Sequence, residues 1–440
     1  MVRGDPAESY IWYSACVKMS SYGFPEYSPR LVDSLVAESL NISGAVVLEG
    51  PRACGKTMTG LFHAKSAYFL DDDATQSLVS VEPDAVLTGE RPVLLDEWQL
   101  EPTLWNRVRR AVDKSVDKGQ FILTGSAVPA DDVTRHTGAG RFLRLRMHTL
   151  TTSEKASISG GEPPTVSISA LAKGDGVDPT VETVSLDEVL TSIVTSGFPA
   201  QVTVAPENSR RLLDSYLEDI SRVDIHRLKR FTTSPHVIRQ VIRAVARNVA
   251  NEATKETLTK DVRTVDPDIS VSTVAGILDA LKRLFVVEEV PPFTVELRSR
   301  ARLRKAGKYH LADPALAAAA LNAGADELRA DLKTAGYVFE SAVIHDLMVY
   351  AQVLGGKLWH YRDSNGHEMD AVITFPDGEW AGIEVKLGQG EIESGAQSLR
   401  AVAAQISGPP PKFLAVITGT GYTANLGDNL VTFPLSALGM

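Results

Sequence analysis

One short segment constrains the fold of this chain more than any other. It reads Gly50-Pro51-Arg52-Ala53-Cys54-Gly55-Lys56-Thr57 and follows the apolar run Ala45-Val46-Val47-Leu48, which has the length of a buried β-strand. The spacing G-x-x-x-x-G-K-T is that of a phosphate-binding loop, because its glycines let the backbone approach phosphate and its N–H groups point at the anion. The segment therefore predicts a strand, a phosphate-binding loop and a helix, with a nucleotide as ligand.

The loop also predicts a role for individual side chains. We expect Lys56 to reach the β- and γ-phosphates and the hydroxyl of Thr57 to bind Mg²⁺. Met58 continues into the helix that follows. The nucleotide-binding set predicted from the sequence thus runs from Gly50 to Met58, and the predicted ligands are ATP and Mg²⁺.

Composition narrows the class of protein. A chain of 440 residues with 44% hydrophobic and 23% charged residues is typical of globular proteins with roughly two to four domains. Its formal net charge of −10 means that any contact with nucleic acid must come from a local basic patch. The only cysteines, Cys16 and Cys54, exclude a disulfide framework and a thiolate zinc site and favour a reducing cytoplasm.

The sequence gives no sign of a membrane partner. No apolar run reaches the roughly 18 residues that a spanning helix needs. The first residues, 1–23, also lack the charged-then-apolar order of a signal peptide. We therefore expect a cytoplasmic protein.

Hydrophobic periodicity and composition divide the chain into six predicted parts. The predicted fold class is α/β: a P-loop NTPase parallel sheet with helices on both faces, then a helical and winged-helix region, then a small α/β domain that is nuclease-like by a resemblance given below. The predicted boundaries are 1–26 for an N-terminal extension, 27–150 for the P-loop ATPase domain, 151–184 for a linker or mobile loop, 185–232 for a helical segment, 233–320 for a winged-helix-like domain and 321–440 for the nuclease-like domain.

Two composition patterns support these boundaries. Between 27 and 150, apolar runs such as Val93-Leu94-Leu95 and Phe121-Ile122-Leu123 alternate with helical or loop segments, as in a parallel sheet. From 151 to 183 the chain is rich in Ser, Thr, Gly and Pro, which is typical of a linker.

The middle of the chain predicts two helices followed by a hairpin. Apolar residues at helical spacing end near Leu284, and the run 285–290 and the segment 295–303 follow as the two predicted strands. Helix, turn, helix and hairpin is the order of a winged-helix module. Four arginines alternate in this segment and would share one face of a strand: Arg298, Arg300, Arg302 and Arg304. They are candidates for contact with a DNA backbone, or alternatively for a solvated edge strand that positive charge protects from aggregation.

Two adjacent carboxylates follow the apolar run at 93–95. We expect Asp96 to bind Mg²⁺ beside Thr57 and Glu97 to accept a proton from, or orient, the attacking water. Because these acids end a buried strand downstream of a phosphate-binding loop, they predict a hydrolytic site.

Further candidates for this site lie between 121 and 141. A polar residue at the end of the strand at 121–123 is expected to sense the γ-phosphate or the water; Thr124 and Ser126 are the candidates, and Ser126 is preferred. Arg141 follows the flexible Gly138-Ala139-Gly140 and is expected to stabilise the transferring phosphoryl group, in cis or from a neighbouring subunit. The alternative is that the arginines of this stretch only decorate an exposed strand.

Together these motifs resemble a known family. GPRACGKT, LLDEWQ, FILTGSA and GAGR are similar to the motifs of bacterial and archaeal AAA-type ATPases that carry a C-terminal domain of unknown function. Four further segments fit this family: Tyr27-Ser28-Pro29-Arg30, Gly197-Phe198-Pro199, the run KYHLADP at 308–314 and the run YVFE at 337–340. The resemblance implies an AAA-type fold and ATP chemistry. Ser126 departs from many AAA-type proteins, in which Asn is frequent.

A second group of polar residues lies near the C-terminus. Asp370 begins one predicted strand, Glu384 and Lys386 end the next, and a turn at 376–378 would pair the two strands as a hairpin. Carboxylates that hold Mg²⁺ beside a lysine are the arrangement of a metal-dependent nuclease. The pattern resembles the PD-(D/E)xK nuclease fold, whose first-helix acid would be Glu340. Such a domain either cleaves nucleic acid or retains the fold as a binding module.

These observations leave three functions open. The first is a Mg²⁺-dependent ATPase, converting ATP to ADP and phosphate, that is coupled to DNA or another macromolecular partner. The second is a regulatory ATP switch that binds protein partners without cutting them, and the third is a metal-dependent nuclease that ATP regulates. The sequence leaves the oligomeric state open, and with it the choice between a cis and a trans role for Arg141.

Overall fold

The computed structural model describes residues 27–127, 138–181, 184–228, 233–293, 306–363, 366–406 and 408–440. The chain forms two compact units, Met1–His148 and Thr149–Met440. Three predictions fall outside the described residues: the N-terminal extension at 1–26, the second hairpin strand at 295–303, and the basic set Arg298, Arg300, Arg302 and Arg304.

The first unit is built on a parallel sheet. Its strands are β1 (Ala45–Glu49), β2 (Ser66–Phe69), β3 (Val93–Asp96), β4 (Phe121–Gly125) and β5 (Phe142–Arg146). Its helices are α1 (Asp33–Ile42), α2 (Lys56–His63), α3 (Asp73–Val81) and α4 (Thr103–Asp113), with single 3₁₀ turns at Ala85–Leu87 and Trp98–Leu100. The strand order is β2-β3-β4-β1-β5, and the pairs are parallel, as the sequence predicts.

Helices cover both faces of this sheet. On one face Val47 and Leu95 pack with Trp105 of α4. On the other face Val46 and Leu94 pack with residues of α1 and α2. Because successive strand residues are buried on opposite faces, the strands read as continuous apolar runs rather than as alternating ones.

The second unit begins with a largely helical part. Its helices before the C-terminal sheet are α5 (Thr152–Ile158), α6 (Ile168–Lys173), α7 (Leu186–Val194), α8 (Pro206–Asp219), α9 (Ile225–Leu228), α10 (Pro235–Arg247), α11 (Lys255–Val262), α12 (Val271–Arg283), α13 (Pro314–Ala320), α14 (Ala325–Ala330) and α15 (Leu332–Val353). A 3₁₀ turn lies at Pro199–Gln201, and a π-helical turn, Ile220–Asp224, connects α8 to α9.

The segment predicted as a linker is folded. It contains α5, α6 and two short strands, β6 (Val166–Ser167) and β7 (Thr180–Val181). Thr151 and Glu154 form a capping box at the start of α5, and Ser167 caps α6. Ser and Thr are common both in coil and at helix N-caps, so the composition that predicts a linker here reflects capping residues.

A two-stranded hairpin follows α12, and the sequence predicts its first strand but not its second. The strands are β8 (Val287–Val290) and β9 (Lys308–Leu311), and their register pairs Val290 with Lys308. The predicted second strand, 295–303, lies outside the described residues. All of β9 is buried, and a lysine at a buried position conceals a strand from pattern reading. The likeness to a winged helix stays a prediction.

The C-terminal part is a sheet of mixed parallel and antiparallel strands. Its remaining strands are β10 (Lys357–Arg362), β11 (Glu368–Thr374), β12 (Trp380–Lys386), β13 (Leu414–Thr418), β14 (Tyr422–Gly427), β15 (Leu430–Pro434) and β16 (Leu438–Gly439). The remaining helix is α16 (Ile392–Ala403), with 3₁₀ turns at Gln389–Glu391 and Leu435–Ala437. The order is β10-β11-β12-β13-β15-β14-β7, and β16 pairs with β6.

The predicted hairpin around the turn at 376–378 is confirmed. Strands β11 and β12 are antiparallel, with Ala371 opposite Ile383. The helix α15 packs against β10, β11 and β12. This packing brings one side of α15 to the polar residues of the hairpin.

Of the helices in the part of the chain that the structure describes, none combines the length and the apolar character needed to cross a bilayer.

The buried His310 of β9 predicts a pH effect on stability. Burial, with Lys308 as a smaller cause, lowers the pKa of His310 from 6.5 to about 3. Between these values the unfolded chain binds a proton that the folded chain does not, so the free energy of unfolding falls as pH falls. From about pH 7.5 to about pH 5.5 this one group removes about 1.4 kcal/mol.

We expect the His310→Asn variant to lose less stability than the wild type over this pH range, measured by urea unfolding. The exposed His236 supplies the control, because His236→Asn removes a histidine from the surface rather than from the core. Equal pH dependence in the wild type and the His310→Asn variant would contradict the prediction.

Candidate functional site

The phosphate-binding loop connects β1 to α2. Gly55 lies at the start of the helix with φ of 105°, a left-handed conformation that glycine adopts without strain. Gly50 is needed for a different reason, since a Cβ there would lie 2.2 Å from the carbonyl oxygen of Met147. Both glycines of the motif are therefore required by the local backbone.

Lys56 lies inside this loop. Its Nζ donates to the carbonyl oxygens of Pro51, at 2.8 Å, and Gly50, at 3.1 Å, and the residue is buried. From this position a lysine contacts the β- and γ-phosphates of a bound nucleotide.

Asp96 at the end of β3 lies against the start of α2. Thr57 Oγ1 donates to Asp96 Oδ1 at 2.9 Å, and Thr124 Oγ1 of β4 also donates to that oxygen. Burial raises the pKa of Asp96 to about 6, while the hydrogen bonds from both threonines and the charge of Lys56 oppose the rise. Hydroxyl and carboxylate oxygens are the ligands that Mg²⁺ prefers, so Thr57 and Asp96 fit the ion that accompanies ATP.

Glu97 is held by two polar side chains. Its Oε2 accepts from Ser126 Oγ at 3.3 Å and from Gln99 Nε2, and its backbone N donates to Thr124 Oγ1 at 3.1 Å. Its φ of 56° is a left-handed conformation that costs a non-glycine residue energy and is concentrated at functional sites. Gln99, which the sequence did not single out, thus orients the carboxylate together with Ser126.

Arg141 is not at this site within one chain. In the parallel register Phe142 pairs with Ala45, so Arg141 lies at the start of β1, whereas the phosphate-binding loop follows its end. Arg141 Nε donates to Asp113 Oδ1 at 2.8 Å instead. The arginine of this stretch at the correct end of the sheet is Arg146, which pairs with Glu49, and strand polarity was the signal that distinguishes the two.

Arg30 supports the loop from the side and was missed as a functional residue. Its Nη1 donates to the carbonyl oxygen of Cys54 at 2.9 Å and its Nη2 to that of His148 at 3.1 Å. Nearby, Tyr27 stacks on Phe62 of α2 at a ring-centroid distance of 4.8 Å. The only signal in the sequence that pointed to Arg30 was the family resemblance of Tyr27-Ser28-Pro29-Arg30. Its acceptors are backbone carbonyl oxygens, which every residue has, so side-chain patterns cannot identify them.

The second group of polar residues also converges. Glu340 of α15, Asp370 of β11, and Glu384 and Lys386 of β12 lie in one cluster. Lys386 Nζ is 3.0 Å from Glu384 Oε1, and Asp370 Oδ2 accepts from the backbone N of Val385 at 2.8 Å. The sequence placed these four residues together, and their elements meet as expected.

Lys308 is an additional member of this cluster. Its Nζ lies 2.9 Å from Glu340 Oε1, 3.0 Å from Glu368 Oε1 and 3.6 Å from Asp370 Oδ1. Burial raises the pKa of Glu340 to about 8, with the charge of Asp370 adding to the rise and Lys308 opposing it. Burial likewise raises the pKa of Glu384 to about 7.

A nuclease metal does not fit this arrangement. The ammonium of Lys308 lies between Glu340 and Asp370, where the metal would have to bind. Across the described ranges, no group of three His, Cys, Asp or Glu side chains is arranged to hold a metal ion.

Comparisons with known proteins divide the chain into three regions. Residues 43–156 match the model of an AAA domain, and residues 186–327 and 335–438 match two domains of unknown function, DUF8612 and DUF4143. Among solved structures, the Walker-type ATPase PABY2304 of Pyrococcus abyssi is similar, with 14% identity, coverage of 67% of this chain and 96% of that chain, and a TM-score of 0.38. No curated protein matches. Residues 43–156 are thus similar to an AAA-type P-loop domain.

Arg30→Ala should weaken ATP binding. A buried carbonyl left without its partner costs about 1–3 kcal/mol, so we expect a loss of affinity of about tenfold, measured with a fluorescent ATP analogue. Arg107→Ala is the matched control, because Arg107 makes an exposed ion pair with Asp84 in the same unit. Equal losses in both variants would show that Arg30 has no specific effect on the loop.

Arg141→Ala should leave ATP affinity within about twofold of wild type, because the guanidinium lies at the other end of β1. Turnover at several protein concentrations tests the remaining trans role, since a neighbouring subunit acts only in an assembly. A loss of turnover at concentrations too low for assembly would contradict the position of Arg141.

Proposed function

We propose that this protein is a Mg²⁺-dependent ATPase that converts ATP to ADP and phosphate and couples this to a macromolecular partner that it does not cut. The observation that carries the proposal is the convergence of Lys56, Thr57, Asp96 and Glu97 at the carboxyl end of one parallel sheet. These side chains supply the parts that ATP hydrolysis needs.

Each side chain has a defined task in this proposal. Lys56 neutralises charge on the β- and γ-phosphates, and Thr57 and Asp96 hold Mg²⁺, which when bound neutralises further phosphate charge. Glu97 accepts a proton from the attacking water at Oε1, the carboxylate oxygen that Gln99 and Ser126 do not contact. Gln99 and Ser126 hold that carboxylate in the required orientation.

The partner is assigned to the second unit. ATP hydrolysis requires only residues of the first unit, which leaves the hairpin, the helices and the C-terminal sheet of Thr149–Met440 for binding. DNA is the partner that Arg298, Arg300, Arg302 and Arg304 predict, and a protein is the alternative.

The nuclease alternative receives less support than a non-cleaving one. A nuclease of the PD-(D/E)xK kind needs a divalent metal among its acids, and here Lys308 contacts Glu340 and Asp370. The contact therefore favours a domain that does not cleave.

Two substitutions test the proposal. Lys56→Ala should abolish ATP binding, whereas Glu97→Gln should bind ATP with wild-type affinity and lose turnover by about 10²–10⁴-fold, because it keeps the shape of the base and removes its charge. Binding is measured with a fluorescent ATP analogue and turnover by phosphate release, with and without Mg²⁺.

Lys65→Ala, just beyond α2, is the control for loss of a positive charge near the loop. Wild-type ATP affinity in Lys56→Ala, wild-type turnover in Glu97→Gln or turnover without divalent cation would each overturn the corresponding part of the proposal.

A further inference from the structure

We infer that Lys308 is the built-in cation of the cluster formed by Glu340, Glu368, Asp370 and Glu384, and that its ammonium excludes divalent metal ions from it. The inference concerns the second unit alone and does not depend on ATP hydrolysis in the first.

The first argument is the position of the ammonium. Lys308 is 2% exposed, and its Nζ lies within 3.6 Å of Glu340, Glu368 and Asp370, which come from α15 and β11. An ammonium has three donors and no acceptor, so three surrounding carboxylates match its capacity. A buried lysine without such partners would lose its charge.

The second argument is the balance of charge. The cluster contains four carboxylates and two ammonium groups, because Lys386 joins it through Glu384. Burial opposes the charge on Lys308, but the carboxylates of Glu340, Asp370 and Glu368 together raise its pKa. The ammonium is thus held charged, as the counter-cation that the buried acids require.

The third argument is space. Divalent ions such as Mg²⁺ need oxygens at about 2.0–2.1 Å from a common point. Here the acids are instead arranged around Nζ at 2.9 to 3.6 Å. As long as the ammonium stays, the carboxylates of Glu340 and Asp370 cannot close on a metal.

Glu384 is the independent sign that the cluster suits a cation. Its Oε2 is buried and has no hydrogen-bond partner among the described residues, and the residue is 8% exposed. A buried carboxylate oxygen without a donor is costly unless a cation is nearby. A metal bound beside Asp370 in place of the Lys308 ammonium would find this oxygen as a further ligand.

The test measures Mn²⁺ binding by electron paramagnetic resonance in the full-length, nucleotide-free protein. An Asp96→Asn background removes the cation site of the phosphate-binding loop. We expect this background protein to bind no Mn²⁺ at the cluster. Lys308→Met in the same background should bind about one Mn²⁺, at least about tenfold more tightly than any residual binding by the background protein. Adding Asp370→Asn to Lys308→Met should abolish the new binding.

Lys386→Met is the matched control, because it removes the same charge from the same cluster but leaves Lys308 between the acids. We expect it to create no Mn²⁺ site. Equal Mn²⁺ binding in Lys386→Met and Lys308→Met would show that the net charge of the cluster, not the position of Lys308, determines whether it binds a divalent ion. That result would overturn the inference.

A further measurement stays decisive even if Lys308→Met fails to fold. If the protein with Lys308 intact binds Mn²⁺ in the Asp96→Asn background, and Asp370→Asn removes that binding, then Lys308 does not exclude metal and the inference is wrong. The inference is supported if the protein with Lys308 intact binds no Mn²⁺ at the cluster and Lys308→Gln, a second variant in the same background, does bind Mn²⁺ there.

Discussion

The parallel pairing of the strands in the first unit is the constraint on which the candidate ATP site depends. In a parallel sheet the carboxyl ends of all strands meet at one edge, so residues far apart in sequence arrive together. The loop after β1, Asp96 and Glu97 after β3 and Ser126 after β4 meet there for this reason. For the same reason Arg141 lies away from the candidate ATP site, because it precedes β5 and so lies at the opposite edge of the sheet.

Both units bury carboxylates, and they stabilise them differently. Asp96 receives two threonine hydroxyls and remains beside the pocket in which ATP is expected, so its negative charge stays available to a ligand. Asp370 accepts a hydrogen bond from the backbone N–H of Val385 and lies beside the ammonium of Lys308, so its negative charge is compensated by groups of the protein itself. Hydroxyl donors leave a site open to a cation, whereas an internal ammonium occupies it.

How far the sequence predicts this structure depends on where the partner of each residue lies. The phosphate-binding loop and the acids of β3 were predictable, because strand, glycines and charged residues are contiguous and their chemistry is specific. Arg30 was not, since its acceptors are backbone carbonyls that any sequence provides. The composition after Thr151 predicts a linker although the segment is folded, because capping residues and coil residues are the same amino acids.

Lys308 shows a different limit. In the sequence it follows a run of basic residues and looks like one more member of a positively charged surface. Only the pairing of β8 with β9 carries it inward to Glu340, and that pairing depends on contacts distant in sequence. Local pattern therefore predicts the charge of Lys308 but not its environment.

The pairing of early with late strands in the second unit has a consequence for its folding during synthesis. Strand β6, at Val166–Ser167, pairs with β16 at Leu438–Gly439, and β7 completes an edge of the C-terminal sheet beside β14. On the ribosome the first unit has all of its strands once Arg146 has emerged, but β6 must wait for nearly the whole of the remaining chain. The unit that carries the phosphate-binding loop can therefore fold during synthesis, while β6 and β7 stay unpaired until Leu438–Gly439 and Tyr422–Gly427 have been made.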